Sequence, residues 1–150
     1  MQDSRSKERI DMNITESIIK WLKTCPDIGA INAFDVNLLQ GKKSSVGLFK
    51  QPSVTVTEFI DGSKQITEYY YFLFKRAAQV KADRLSNEEY LRTIENWIDE
   101  QEFNGNYPDI GYPVDGIGMS DGYYMVSMEE KDATYQLTLE IQYRKEVTNG

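Results

Sequence analysis

"ITEYYYFLFKRAA", residues 66–78, places six large apolar or aromatic side chains in succession, Tyr69 to Phe74. A strand with one face in water alternates apolar and polar residues, because successive side chains point to opposite faces. Splitting the run by that period sorts it. Ile66, Tyr70, Phe72 and Phe74 fall on one face, the greasier one, which is expected to lie under helices. Thr67, Tyr69, Tyr71, Leu73 and Lys75 fall on the other. That second face is amphipathic and tyrosine-rich, as suits a surface covered only on assembly. A central strand covered on both sides within one subunit would show the same run.

The residues just before the run give it a partner. "SVTVTEFI", 53–60, alternates Val54 and Val56 against Thr55 and Thr57, and "DGSK", 61–64, turns the chain back. Asp-Gly between two β-rich segments is a strong hairpin signal. A second hairpin closes the chain: "YYMVSM", a turn at "EEKDA", and "TYQLTLEIQYRK". Its last strand alternates cleanly, with Tyr135, Leu137, Leu139, Ile141 and Tyr143 on one face. Gln136, Thr138, Glu140 and Gln142 lie on the other.

Two stretches read as helices. "NITESIIKWLKTCP", 13–26, repeats apolar residues at helical spacing, with Asn13 as its cap and Pro26 as its stop. "LSNEEYLRTIENWIDEQ", 85–101, has Ser86 and Glu89 as a capping box and a stripe of Leu91, Ile94, Trp97 and Ile98. Asn104-Gly105 ends it. "INAFDVNLL", 31–39, reads as one further strand, 40–52 as a loop carrying Lys42 and Lys43, and 103–122 as a long Gly/Pro/Asn-rich loop. The expected architecture is a single α+β domain over 1–150, with 1–12 and 146–150 as polar arms. Its antiparallel sheet combines two hairpins with one further strand, and two helices pack on one face.

Composition narrows the function classes. The chain has 150 residues, a net charge of -7 and no histidine. An acidic chain without a basic stripe is a poor nucleic-acid binder. Absence of histidine removes the commonest general base and metal ligand. Cys25, the single cysteine, sits at the end of an apolar helical stripe and reads as a buried thiol. The carboxylate groups Asp99, Glu100, Glu102 and Glu129, Glu130, Asp132 lack calcium-loop spacing and read as solvated surface. "DGIGMSDG", 115–122, carries a G-x-G but is followed by a strand, where a phosphate cradle needs a helix. No catalytic, cofactor or metal site is expected, and no segment has the length or apolarity of a membrane span.

The ordered series of short features resembles a known family. It runs from "IIKWLKTCP" through "VTVTEFIDGSKQITEYYYFLFKRAA", with its V-x-x-F-x-D-G-S hairpin. "NEEYLRTIENWIDEQEFNGNYPDI" follows, and "GYYMVSMEEKDATYQLTLEIQYRKE" closes it. Over residues 13–145 this is similar to small minor structural proteins of phages and prophages of Gram-positive bacteria, which share the layout of tail terminators. The resemblance implies a homo-oligomeric ring, usually a hexamer, at the head-proximal end of a tail tube. Its partners would be the tube protein, the neck or head connector and, in a contractile particle, the sheath. DNA would be passing cargo only, and no membrane is involved. The protein would be made in the bacterial host cytoplasm and reside in a virion or a headless tail-like bacteriocin. Tyr69, Tyr71 and Leu73 would then meet a neighbouring subunit, together with Tyr107, Ile110 and Tyr112 from the long loop. Glu140 would line an acidic lumen that DNA passes without adhering, or simply face solvent. Two alternatives stay open: another neck or head–tail joining component, and a small acidic immunity or inhibitor-type binding protein.

Overall fold

The computed structural model describes residues 14–29, 45–78 and 80–146. Residues 14–22 form a helix (α1), and a short helix, α2 (Pro26–Gly29), follows. Four strands make one antiparallel sheet: β1 (Ser45–Glu58), β2 (Lys64–Ala77), β3 (Val114–Met128) and β4 (Asp132–Lys145). A long helix, α3 (Lys81–Asn104), joins the two hairpins. Spatial order is β1-β2-β4-β3, so the two hairpins meet through β2 and β4 at the centre. This is an α+β fold.

The aromatic run is central, and its two faces separate as its period demands. Tyr70 pairs with Leu139, Phe72 with Leu137 and Phe74 with Tyr135. Side chains directly opposite across an antiparallel pair share a face. All six are buried, in one cluster with Ile14, Ile18 and Leu22 of α1 and Leu91, Ile94 and Ile98 of α3. Trp21 and Trp97 bring the two helices together, with ring centroids 4.9 Å apart. The Trp21 indole N–H donates to the Asn106 carbonyl at 2.8 Å.

The first hairpin closes as expected. Asp61 Oδ1 accepts from the Ser63 hydroxyl at 2.6 Å and from its backbone N–H at 2.9 Å. These bonds to the ionised form hold the Asp61 carboxyl below its ordinary range. Gly62 takes φ 89°, a value that L side chains rarely adopt.

Several boundaries differ from the sequence reading. β1 begins at Ser45, inside the expected loop 40–52. A register irregularity between Lys50 and Val54 surrounds Pro52. Proline has no N–H for a ladder and is tolerated in a strand at a bulge or an edge. Pro26 does not merely stop α1; it occupies the first position of α2, where its missing N–H costs nothing. α3 starts at Lys81, five residues before the expected cap at Ser86. Lys81 to Leu85 are helix-compatible and nothing breaks them. The Asp83 carboxylate accepts the Val80 backbone N–H at 3.3 Å. Gly105, at φ 68°, closes the far end, and the Asn106 N–H returns to the Gln101 carbonyl at 2.9 Å.

The expected loop 103–122 is short. It ends at Val114, where β3 begins. Glycines at 116, 118 and 122 weaken the strand signal, but two of them, Gly118 and Gly122, lie where α3 packs closely on the strand. A Cβ at Gly118 would lie 2.5 Å from the Glu102 carboxylate, and one at Gly122 would lie 2.7 Å from that of Glu95. Glu95 Oε2 accepts the Tyr123 backbone N–H at 3.0 Å. α3 thus closes on the outer strand β3 and occupies one of its backbone donors, which is one way to blunt a sheet edge. The expected strand 31–39, the Asn13 cap and the Lys42/Lys43 spot lie outside the described residues.

Candidate functional site

The face of β2 opposite the core carries Tyr69, Tyr71 and Leu73. Its neighbours on β4 are Glu140, Thr138 and Gln136, each directly opposite one of these three. Phe49 of β1 faces Tyr71, and Tyr124 of β3 faces Gln136. A shallow depression of about 540 Å³ opens here, lined by Tyr69, Tyr71, Tyr124, Gln136 and Thr138. Tyr71 is 37 % exposed and Tyr124 50 %. Gln136 Nε2 donates to the Tyr124 hydroxyl at 2.9 Å, which pins one ring over the sheet. Aromatic rings, hydroxyl and amide groups, and the Asp121 carboxylate between them line the depression.

The remaining expected interface residues do not join that face. Ile110 is 3 % exposed and belongs to the core cluster, so its burial within the chain leaves no side chain to offer a neighbour. Tyr112 stacks on Tyr143 with centroids 5.2 Å apart, and Tyr107 packs half-buried against the same core. All three lie on the connection 105–113 and pack in or against the core. Glu140 does lie on the open face, half-buried, beside a small polar pit of about 130 Å³ shared with Glu102 and Gln142.

A buried carboxylate escaped the sequence reading. Glu68 is 6 % exposed and sits on the core side of β2, between Ile66 and Tyr70. Its Oε1 accepts the Tyr70 hydroxyl at 3.0 Å, and its Oε2 accepts the Tyr143 hydroxyl at 2.9 Å. Lys50 Nζ lies 3.6 Å from Oε2. A charged residue at an even position of an otherwise apolar face was the available signal. Burying a carboxylate is tolerable only with such partners. Asn87 is a second missed polar anchor: its amide donates to the Ala77 carbonyl at 2.8 Å and accepts from Arg76 Nε at 2.7 Å.

Tyrosine ionisation reports this packing. Burial, and then the Glu68 charge, push the Tyr70 hydroxyl well above its ordinary value. Burial pushes Tyr90 up to about 12, against the opposing pull of the Arg76 guanidinium, which lies 3.9 Å from its ring centre. Free tyrosine ionises near ~10. The native state therefore keeps protons that the unfolded chain has lost above that pH. This contribution to stability is intact below about pH 10 and drains away as pH rises toward 12. In an alkaline titration of native protein, at least two of the ten tyrosines should withhold their phenolate absorbance until the chain unfolds. Ionisation of all ten near pH ~11 with the fold intact would contradict the burial described here.

Among the described residues no group of His, Cys, Asp and Glu is placed to hold a metal ion. Cys25 is buried, and desolvation raises its thiol above the ordinary value. No helix of the described residues is long and apolar enough to cross a membrane. No protein-family model matches the chain, and no curated protein matches it significantly.

Proposed function

We propose that this protein is a structural assembly component of a phage or phage-tail-like particle. It forms a ring that ends the tail tube at its head-proximal side and meets the neck. One structural observation supports the reading. The sheet has a second face, opposite the one that packs the core, on which the Tyr71 and Tyr124 rings are exposed and Tyr69, Leu73 and Phe49 are half-buried around the covered Thr67, Gln136 and Thr138. Exposed tyrosine rings on a sheet face, in a chain with no metal-holding group among its described residues, suit an interface. The sequence resemblance supplies the kind of assembly. Glu140 then faces a partner or a lumen, where negative charge lets DNA pass.

Replacing Tyr69 and Tyr71 together with Ser should weaken assembly far more than folding. Ring formation should fall on size-exclusion with light scattering, while the melting temperature moves only a few degrees. Collapse of the melting temperature would instead make that face part of the subunit's own core. The direct test is electron microscopy of particles made without this protein. Tails of normal length with closed ends would sink the terminator reading.

A further inference from the structure

The core side of the sheet runs on past the helices at the Glu58/Lys64 end of the first hairpin. Val54 pairs with Glu68 and Val56 with Ile66, so these valines point to the same side as the core. Yet Val56 is 53 % exposed. With Ile14, Ile66 and Tyr143 they line a cleft of about 330 Å³ that Lys50 and Lys145 also border. Lys64 stands directly across from Lys145. Like charges facing each other across strands are destabilising, and this chain carries a net charge of -7. Glu58 opposite Lys64 and Glu68 beside Lys50 offset only part of that positive charge.

The opposite character appears at the end of α3. Asp99, Glu100 and Phe103 are exposed and lie within one turn of one another. Phe103 is 90 % exposed, a large ring on the surface with two carboxylates just behind it. This tip is not beside the cleft. Trp21, which donates to Asn106 next to the tip, lies about 10 Å along α1 from Ile14 in the cleft.

We propose that these are the two halves of one contact between copies of this chain. Phe103 enters the valine-lined cleft of the next copy, and Asp99 and Glu100 meet its Lys145 and Lys64. An aromatic anchor in an apolar pocket with a charged rim is the usual composition of a binding hot spot. The two patches differ, so the contact is heterologous and propagates from copy to copy; its closure into a ring rests on the function proposed above. The tyrosine face is then left for the surface on which the ring stands.

The test uses the full chain in low and moderate salt, with association read by sedimentation. Lys145→Glu alone and Glu100→Lys alone should each weaken self-association roughly tenfold or more. Lys145→Glu combined with Glu100→Lys should restore it, because the swapped charges again oppose. Phe103→Ser should abolish association while leaving the melting curve in place, since that side chain supports nothing in its own subunit. Lys50 is left unchanged because it neighbours Glu68. Rings that form equally well in every variant would overturn this contact and leave the ring reading standing. Charge-dependent association that yields only open chains or dimers, and is rescued by the swap, would uphold the contact and remove the ring. A chain that stays monomeric throughout, or a double swap that fails to restore association, overturns the contact.

Discussion

Phe72→Ala should lower the unfolding free energy by about 3–5 kcal/mol, the range found when a buried phenylalanine is truncated. Phe72 is 0 % exposed. It lies between Leu48 on one side strand and Leu137 on the other, and its ring centre is 4.2 Å from that of Phe74. A cavity there is bounded by strands paired on both sides, so the walls have little freedom to collapse. Domains of this size are stable by only about 5–15 kcal/mol, so the loss would take a large share of the total. Urea unfolding is the measurement: the midpoint should fall with the slope unchanged. A loss under about 1 kcal/mol would place Phe72 outside the core. Tyr71, one residue away on the open face, serves as the internal contrast.

Glu68→Ala should cost about 2–4 kcal/mol. Two buried hydroxyls, Tyr70 and Tyr143, would each lose a bond to a charged acceptor, and a hydrogen bond to a charged group contributes roughly 1.5–3 kcal/mol. The cleft beside Lys50 admits water, which keeps the sum toward the lower end. Glu68→Gln should cost less, because its amide oxygen still accepts one hydroxyl. It should also let Tyr70 ionise somewhat earlier in the alkaline titration, since the carboxylate charge is the second cause of that raised pKa after burial. Stability of Glu68→Ala within about 0.5 kcal/mol of the parent would show that those hydroxyls find other partners.

The readable parts of the sequence were those in which period and turn chemistry agree. β2 and β4 alternate or split cleanly, Asp61-Gly62 turns the first hairpin, and Gly105 ends α3. The misread parts each carried a local signal that tertiary contact overrode. Gly116, Gly118 and Gly122 resemble a loop, but the missing side chains of Gly118 and Gly122 are where the α3 carboxylates of Glu102 and Glu95 come close to the strand. Ser86 is a good cap by type. The helix nonetheless begins earlier, and the neighbouring Asn87 is buried holding the end of β2. Ile110 and Tyr112 lie on the connection 105–113, shorter than the loop the sequence suggests and packed against the core. Glu68 is hard to read from sequence because only one of its two hydroxyl donors, Tyr70, is local; Tyr143 is on another strand, and no local rule brings it near.

By itself the sequence determined the α+β class, the two hairpins, the division of the Tyr69–Phe74 run into two faces of which one is greasier, and a composition without histidine. These follow from side-chain period and backbone preference, which act over a few residues. The tertiary structure alone decided that β2 and β4 are the central pair and that α3 closes on β3. It also decided that the open face spans all four strands, and that a basic cleft and an acidic helix tip lie apart on one subunit. Those facts depend on contacts between residues distant in the chain, where burial and pairing outweigh local propensity.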